Sequence, residues 1–295
     1  MVCFLRITFK GGFYIKTIIK KHRWLVLTSI LSVTLLASCG NDDSSKGSES
    51  ETAWEKIKEE GSITVATSGT LLATSYRDEE SDELTGFEVE VVREVANRLD
   101  LEIEFKELGF DEMLTSVNTG QIDIAANDIE VTEDRKENFL FSTPFKHSYG
   151  TAVVRKDDLS GIKTLEDIKG KKAAGASTSV YMEMARELGA EEVTYDNATN
   201  EVYLRDVSIG RTDVILNDYY LSTFGVAAFP DFNITIHPDI KYSPSEVGLV
   251  MNKENTELAD NVNQVLEEML SDGTITEISV KFFNGADVSQ KPDID

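Results

Sequence analysis

Two stretches of the sequence end in the same pair of polar residues after the same spacing. Residues 120–128 and 210–218 both read G-x-x-D-x-x-x-N-D. Each stretch predicts a helix that stops at glycine, a short buried strand, and polar residues at the carboxyl end of that strand. Because ligands of open α/β sheets bind outside these ends, the repeat indicates two similar lobes that present Asn-Asp pairs to a shared cleft. Asn-Asp is also common loop chemistry after a strand, and that alternative stays open.

A third polar cluster, Ser177-Thr178-Ser179, precedes a helical pattern and predicts the start of a helix. Its hydroxyls and free amides can bind a carboxylate at the positive end of the helix dipole. Plain capping of the helix uses the same groups, and both roles can hold. No Ser-His-Asp arrangement, G-x-S-x-G motif or phosphate-binding loop is evident in the sequence, so we expect no enzymatic activity and no cofactor.

The segments around these clusters alternate between strand and helix patterns. This alternation predicts an α/β fold with mostly parallel sheets and helices on both faces. The chain after Lys241 resembles neither half and is expected to return to the first lobe. Asp111 is predicted to cap the helix that follows it. The predicted strands are 62–67, 102–106, 122–126, 152–154, 171–174, 214–216 and 247–251, and the predicted helices are 87–99, 112–119, 164–168, 180–188, 201–209, 256–270 and 275–283.

The first 38 residues have the features of an export signal. All their charges are basic, and an apolar run from Trp24 to Leu36 suits a signal peptide better than a membrane span. The run ends in Leu36-Ala37-Ser38-Cys39, which resembles a bacterial lipobox and implies cleavage before Cys39 and lipidation of its thiol. An ordinary signal peptide with an incidental cysteine is the alternative. Residues 39–53 are mostly small, polar and charged, and are expected to form a flexible tether.

Composition excludes several classes of partner. The chain has 29 Lys and Arg against 53 Asp and Glu, a net charge of −24, which argues against nucleic acid because phosphate binding needs a basic face. Removal of residues 1–38 takes away six basic and no acidic residues, so the mature charge is −30. Two cysteines and three histidines provide neither a disulfide framework nor a structural zinc cluster, and we expect no metal.

Several motifs together resemble the polar amino acid substrate-binding proteins of bacterial ABC importers (solute-binding protein family 3). The resemblance covers residues 54–287 and is nearest to the cystine-binding members. It implies a type II periplasmic-binding-protein-like fold, with lobe 1 formed by 54–147 and 247–288, lobe 2 by 148–246, a tail at 289–295, and two crossover strands near 147–151 and 241–247. The motifs are 84–91, 123–135, 141–145, 168–171, 210–213 and 269–274.

The resemblance also implies how an amino acid is held. A cleft that excludes water must pair both charges of the ligand, because an unpaired buried charge is costly. Arg135 matches the residue that binds the α-carboxylate, for which the guanidinium fork is suited, and Asp218 matches the partner of the α-ammonium. Without the resemblance, Arg135 reads as a solvated helical arginine and Asp218 as a helix cap.

Further contacts are expected around these two residues. Thr178 and Ser179 would bind the carboxylate, while Phe110 would supply an apolar wall or belong to the core. Many relatives have Ser or Thr at the positions of Asp128 and Glu130, and Glu130 could face an ammonium of a larger ligand or point to solvent. Leu71 and Thr74 stand where relatives often have aromatic residues. The expected ligand-binding residues are Arg135, Asp218, Thr178, Ser179, Asn127, Asp128, Glu130, Phe110 and Ser68.

These expectations describe a monomeric, lipid-anchored protein on the extracytoplasmic face of a bacterial membrane. It would capture a polar amino acid, with cystine favoured, by closing its cleft, and would deliver the ligand to the permease and ATPase subunits of an importer. The membrane would be contacted through the lipid alone. A dehydratase of the cyclohexadienyl type on the same fold and a ligand sensor module are the alternatives.

Overall fold

The computed structural model describes residues 52–195 and 198–294. The predicted signal peptide, Cys39 and the tether up to residue 51 lie outside the described residues. Thr52 and Ala53, expected to belong to the tether, instead start a helix: Thr52 and Glu55 form a reciprocal capping box at its N-terminus. Within the described residues, no helix is both long and apolar enough to cross a membrane.

The first sheet is built from the start of the described chain and from one strand near its end. Its strand order is β5-β1-β6-β13-β7, and a small sheet of order β2-β3-β4 lies beside it. From the start of the described chain to β7 the elements are α1 (Ala53–Glu60), β1 (Ser62–Thr67), β2 (Thr70–Leu71), β3 (Ser75–Arg77), β4 (Leu84–Thr85), α2 (Phe87–Arg98), β5 (Glu102–Glu107), α3 (Phe110–Asn118), β6 (Ile124–Ala125), α4 (Glu133–Asn138) and β7 (Phe139–Phe141).

The second sheet is formed by the middle of the chain, in the order β10-β9-β11-β8-β12. The last three elements return to the first lobe, and residues 289–294 form neither helix nor strand. Two short 3-10 turns lie between β8 and β9. The elements from β8 onward are β8 (Lys146–Arg155), β9 (Lys172–Gly175), α5 (Val180–Glu187), β10 (Glu191–Thr194), α6 (Asn200–Ser208), β11 (Val214–Asp218), α7 (Tyr219–Ala228), β12 (Ile234–Val247), β13 (Val250–Asn252), α8 (Thr256–Ser271) and α9 (Thr274–Phe282).

The expected two-lobed α/β fold is confirmed, but the expectation of mostly parallel sheets is wrong. In each five-stranded sheet two neighbouring pairs of strands are parallel and two are antiparallel. The antiparallel pairs arise because β13 returns from the second lobe, whereas β8 and β12 run between the lobes. Sequence patterns identify strands but do not give the direction of a strand that comes back from elsewhere in the chain.

Both faces of each sheet are buried, as expected for helices on both sides. In the first sheet Val65 and Ile124 pack under the helices α1, α2, α8 and α9, while their neighbours Ala66 and Ala125 pack against α3 on the opposite face. The same alternation occurs in the second sheet, where Val154 and Val153 contribute to different clusters. Alternate side chains of a strand point to opposite faces, so these short strands are apolar throughout.

The repeated G-x-x-D-x-x-x-N-D segments have the same structural role in the two sheets. Asp123 accepts a hydrogen bond from the backbone N–H of Thr64 at 2.8 Å, and Asp213 accepts one from the backbone N–H of Lys172 at 3.0 Å. In each case the aspartate aligns its own strand with the adjacent parallel strand. The Asn-Asp pairs that follow are thereby set at the carboxyl ends of the two central strands, β6 and β11.

The two lobes are joined by the antiparallel pair of long strands β8 and β12, which is paired from Lys146 opposite Val247 to Arg155 opposite Ile234. The end of β12 also contacts the first lobe, because Val131 N–H donates to the Glu246 carbonyl at 2.8 Å. The connection between the lobes is therefore a hydrogen-bonded ribbon rather than a free linker.

The start of α2 depends on a glycine. Gly86 has φ of 128°, and a Cβ atom at this position would lie against the backbone of Thr74, far inside van der Waals contact. Thr74 cannot move away easily, because its carbonyl accepts a hydrogen bond from Glu88 N–H at 3.0 Å. A side chain at residue 86 would therefore displace the N-terminus of α2.

We predict that Gly86→Ala destabilises the protein by about 3 kcal/mol, through strain and the backbone clash. Gly120→Ala is the matched control, since Gly120 also has a positive φ but no atom within 4 Å of an added Cβ, and it should cost about 1 kcal/mol. Thermal unfolding of both variants measures the difference. Equal melting temperatures would show that the Gly86–Thr74 contact does not constrain the fold.

Candidate functional site

A cavity of about 510 Å³ lies between the lobes and is lined by residues of both. Its volume is within the range of small-molecule binding sites. Seven of the nine expected ligand-binding residues line it, whereas Thr178 and Asp218 do not. The seven are Ser68, Phe110, Asn127, Asp128, Glu130, Arg135 and Ser179.

Arg135 lies in the first turn of α4, where its backbone N–H donates to the capping hydroxyl of Thr132. Its guanidinium donates to the carbonyl oxygen of Glu130 at 3.0 Å and to that of Thr178, in the other lobe, at 3.2 Å. The ring of Phe110 stacks beside it, with 5.7 Å between the guanidinium carbon and the ring centroid. Burial lowers the pKa of Arg135, although the nearby Glu130 carboxylate opposes this effect, and the guanidinium stays charged. Arg135 is therefore a positioned cation in the cavity wall.

The three polar residues before α5 divide their roles. Ser179 caps the helix: its hydroxyl accepts from Met182 N–H at 3.1 Å. Ser177 and Thr178 instead donate through their hydroxyls to Asp111 of the first lobe. Asp111 was expected to cap α3, but that helix begins at Phe110 and its N-cap Gly109 provides no side-chain bond.

Asn127 and Ser68 form one side of the cavity. The Asn127 amide oxygen accepts a hydrogen bond from the backbone N–H of Ser68 at 2.9 Å. Asn127 therefore fixes the loop after β1 to the carboxyl end of β6, which shapes the cavity wall whether or not either side chain contacts a ligand.

A fully buried ammonium group lies at the junction of the lobes. Lys146, the first residue of β8, is 0% exposed, and its Nζ is 2.5 Å from Asp128 and 3.2 Å from Asp218. Burial alone would lower the pKa of Lys146, but the carboxylates of Asp128 and Asp218 raise it above its usual value. One cation thus joins the aspartates of the two repeated segments. Within the described residues, no group of three or more acidic, His or Cys side chains is arranged to hold a metal.

Glu88 is buried next to this group. Its Oε2 accepts a hydrogen bond from the backbone N–H of Asp128 at 2.6 Å. Burial, together with the charge of Asp128, raises the pKa of Glu88 to about 8. Burial likewise raises the pKa of Asp128 to about 6, against the opposing effect of Lys146. Glu88 is therefore largely protonated at neutral pH, which limits the negative charge that Lys146 must balance.

Asp218 is placed differently from the expectation for a ligand contact. It is 1% exposed, and its Oδ1 accepts from Leu221 N–H at 2.9 Å as the N-cap of α7 while also facing Lys146. Its Oδ2 has no hydrogen-bond partner among the described residues. The capping role left open by the sequence is thus present, and the pairing with Lys146 was not foreseen.

Glu130 is the carboxylate that lines the cavity beside Arg135. It accepts a hydrogen bond from the hydroxyl of Tyr181, across the cleft. Burial raises the pKa of Glu130 to about 7, and the Tyr181 hydrogen bond opposes the shift. Of the two possibilities that the sequence left open, orientation into the cavity rather than into solvent is the one observed.

The charged residues that line the cavity are mostly acidic. Arg135 is the one basic side chain among the described lining residues. The five acidic lining residues are Glu107, Asp111, Glu112, Asp128 and Glu130. Two of these acids are paired with cations that do not line the cavity, Asp128 with Lys146 and Glu107 with Arg77. Because like charges repel at close range, the remaining acidic side chains favour a ligand with an ammonium group and disfavour one with a net negative charge.

Lys146 and Glu88 are the residues that sequence reasoning missed. Glu88 carried a signal, since its spacing of three, four and seven residues from Val91, Val92 and Val95 places it on the apolar face of α2. Lys146 carried none, because its partners are distant in sequence.

The sequence of the chain is similar to that of a known protein family and of several curated proteins. The family model for bacterial extracellular solute-binding proteins, family 3, matches residues 63–285. The chain is 64% identical over 263 residues to the probable ABC transporter extracellular-binding protein YckB of Bacillus subtilis (strain 168), covering 88% of this chain and 91% of YckB. It is 35% identical over 278 residues to the L-cystine-binding protein TcyA of the same organism, covering 92% of this chain and 100% of TcyA.

Solved structures show the same fold. The crystal structure of YckB from Bacillus subtilis aligns with a TM-score of 0.66 at 67% identity, covering 83% of this chain and 98% of that chain. A crystal structure of a mutant of ArgBP from T. maritima aligns with a TM-score of 0.72 at 28% identity, covering 78% of this chain and 98% of that chain.

The protonation of Glu88 predicts how stability depends on pH. A carboxyl whose pKa is raised in the folded protein stabilises the fold fully below its unfolded pKa of about 4.5, and this contribution is lost as the pH rises through the folded value of about 8. Glu88→Gln keeps an oxygen for Asp128 N–H but cannot ionise. Between pH 5 and pH 8 we expect the free energy of unfolding of the wild type to fall by about 3 kcal/mol more than that of the variant.

Melting temperatures at pH 5, 6.5 and 8 measure this effect, with the exposed Glu59→Gln as the control. Asp128 and Glu130 shift in the same direction, so a smaller pH dependence should remain in Glu88→Gln. Parallel curves for the variant and the wild type would contradict the assignment of a protonated Glu88.

Proposed function

The chain belongs to family 3 of the bacterial extracellular solute-binding proteins, and we propose that this substrate-binding protein of an amino acid ABC transporter captures its ligand by closure of the two lobes on the cavity around Arg135. The observation that carries the proposal is that Arg135 and Glu130 line the same cavity between the lobes, close enough for the charge of each to act on the pKa of the other. One cation and one carboxylate in the same cavity are the complement of the two charges on an α-amino acid. In this proposal the ligand is bound and released without any covalent bond being formed or broken.

We assign the α-carboxylate of the ligand to Arg135. The guanidinium fork can bind two carboxylate oxygens, and its desolvation in the cavity strengthens the pairing. Ser179 lies at the N-terminus of α5, where free backbone amides favour a negative group. Thr178 presents its carbonyl to Arg135 and its hydroxyl to Asp111, so in this proposal it supports the site from outside the cavity.

We assign the α-ammonium to Glu130, which lines the cavity, rather than to Asp218 alone. Asp218 does not line the cavity, and its Oδ1 is shared by Lys146 and Leu221 N–H. Its charge still acts on the same region, since it contributes to the raised pKa of Glu130. Pairing with an ammonium would stabilise the ionised form of Glu130, so the ligand and the deprotonated carboxyl favour each other.

The ligand class follows from the charge of the cavity wall. The acidic wall accepts an amino acid with a neutral or cationic side chain, whereas it repels one with an anionic side chain. Cystine is the favoured candidate. Its second amino acid group carries an ammonium beside its carboxylate and so has no net charge, unlike the side chain of glutamate or aspartate. The cavity volume suits a ligand larger than a small amino acid, and the relative TcyA is named an L-cystine-binding protein.

We also propose that the protein is a monomer anchored through a lipid on Cys39 to the extracytoplasmic face of the membrane. The support is the lipobox-like Leu36-Ala37-Ser38-Cys39 after a basic and apolar leader. The permease and ATPase of the importer would be its protein partners. The net charge of −30 after removal of residues 1–38 would keep it off anionic surfaces except through the anchor.

A thermal-shift screen of the protein against the standard amino acids and cystine tests the ligand assignment. A ligand at 100 times its dissociation constant adds about 2.7 kcal/mol and raises the melting temperature. We expect a shift with cystine and none with glutamate or aspartate. A shift with another neutral or cationic amino acid would retain the transporter and discard cystine, and no shift with any of them would overturn amino acid binding and call for a turnover assay.

Arg135→Ala should weaken binding of every amino acid that binds the wild type by at least about a hundredfold, because the ligand carboxylate would be buried without a partner. The control is Arg205→Ala, which removes an exposed arginine paired with Glu201 on the surface of the second lobe. Calorimetric titration measures both. Near-normal affinity in Arg135→Ala would exclude Arg135 as the carboxylate ligand.

Cys39→Ala should abolish incorporation of labelled palmitate and release the protein from the membrane fraction. Cys3→Ala is the matched control, because Cys3 is the other cysteine of the chain and lies in the segment expected to be removed. Lipid labelling and cell fractionation measure the outcome. Membrane retention of Cys39→Ala would show that the anchor is elsewhere.

A further inference from the structure

The first turn of α3 makes a contact between the lobes that neither capping nor ligand binding explains. Both oxygens of Asp111 accept hydrogen bonds from the second lobe: Oδ2 from the Ser177 hydroxyl at 2.7 Å and Oδ1 from the Thr178 hydroxyl at 2.5 Å. Hydrogen bonds to a carboxylate are stronger than those between neutral groups. One side chain of the first lobe thus holds two adjacent residues of the other.

None of the three side chains in this contact is needed by its own helix. The N-cap of α3 is Gly109, so Asp111 does not cap it, and α5 is capped by Ser179. Two further side-chain contacts across the cleft involve Arg135 and Glu130, to which we have assigned the ligand. The bonds between Asp111 and Ser177-Thr178 therefore have no assigned role in recognition.

We propose that Asp111 is a positioning residue that favours the closed arrangement of the lobes by binding the hydroxyls of Ser177 and Thr178. The inference rests on the proposed function and adds to it a contact that acts on closure. A contact that forms in the closed arrangement raises the closed population, and the apparent affinity for a ligand rises with that population. The contact therefore raises the apparent affinity for every ligand by the same factor.

The same geometry offers one competing explanation. Asp111 also lines the cavity, so its negative charge could attract a cationic ligand directly. The two explanations predict different patterns. A contact that acts on closure changes affinity equally for neutral and cationic ligands and mainly accelerates dissociation, whereas a direct contact changes the affinity for cationic ligands more than that for neutral ones.

The experiment compares Asp111→Ala with the double variant Ser177→Ala, Thr178→Val, and with the combination of all three changes. We expect Asp111→Ala and the double variant each to weaken binding about tenfold, equivalent to about 1.4 kcal/mol, with faster dissociation. The combined variant should be no weaker than either, because all the changes remove one shared contact. Glu59→Ala, which removes the same charge from an exposed position of α1 outside the cavity, should leave the affinity unchanged.

Dissociation constants and dissociation rates are measured for cystine and for one neutral and one cationic amino acid that bind the wild type. Equal losses for all of them, with full non-additivity, support the proposal. A loss confined to the cationic ligand, or additive losses in the combined variant, would overturn it.

A second measurement needs no ligand, so that failure of the proposed function and failure of this inference can be told apart. If the wild type binds none of the amino acids, the proposed function fails, but small-angle X-ray scattering still compares the shapes of the variants. We expect a larger radius of gyration for Asp111→Ala and for the double variant than for the wild type and Glu59→Ala. Equal radii for all four proteins would overturn the role of Asp111 in closure.

Discussion

The burial of one ammonium group, that of Lys146, constrains the whole arrangement of the cleft. A fully buried cation is tolerated only if carboxylates compensate it at close range, since removal of either partner leaves an unpaired charge that costs several kcal/mol. The partners here come from different lobes: Asp128 follows β6 of the first sheet and Asp218 ends β11 of the second. Lys146 itself begins β8, where the chain leaves the first lobe. The carboxyl ends of the two central strands are therefore held near each other and near the connecting ribbon, and the cavity forms beside them.

Charge balance explains how so many acidic groups can share this region. Lys146 faces two aspartates, and a third ionised carboxylate would leave the group strongly negative. Glu88 avoids this by staying largely protonated at neutral pH, because burial and Asp128 raise its pKa to about 8. The group then carries a residual negative charge near the cavity, where Arg135 is positive and Glu130, with its pKa raised to about 7, is partly ionised. A zwitterion with its carboxylate at Arg135 and its ammonium toward these carboxylates completes the pairing, whereas a ligand with a net negative charge would not.

The sequence predicted the local elements of this site better than their partners. The repeated segments gave the correct ends of two strands, because a helix stop, an apolar run and polar residues are all local signals. The pairing of Lys146 with Asp218 and that of Asp111 with Ser177 join residues far apart in the sequence, and no local pattern reports them. The three residues 177–179 show the limit clearly: the sequence indicated a capped helix but not which hydroxyl would cap it and which would reach the other lobe.

The loop between β9 and α5 takes part both in ligand recognition and in closure of the lobes. Arg135, assigned to the ligand carboxylate, also donates to the Thr178 carbonyl, while Asp111 holds the hydroxyl of the same residue. Hydrogen bonds of this kind contribute about 1–3 kcal/mol each, which biases a two-state equilibrium without deciding it. A ligand bound with micromolar affinity supplies about 8 kcal/mol, enough to outweigh that bias in either direction. The contacts between the lobes therefore set how tightly any ligand is held, and the charges around Arg135 and Glu130 set which ligand it is.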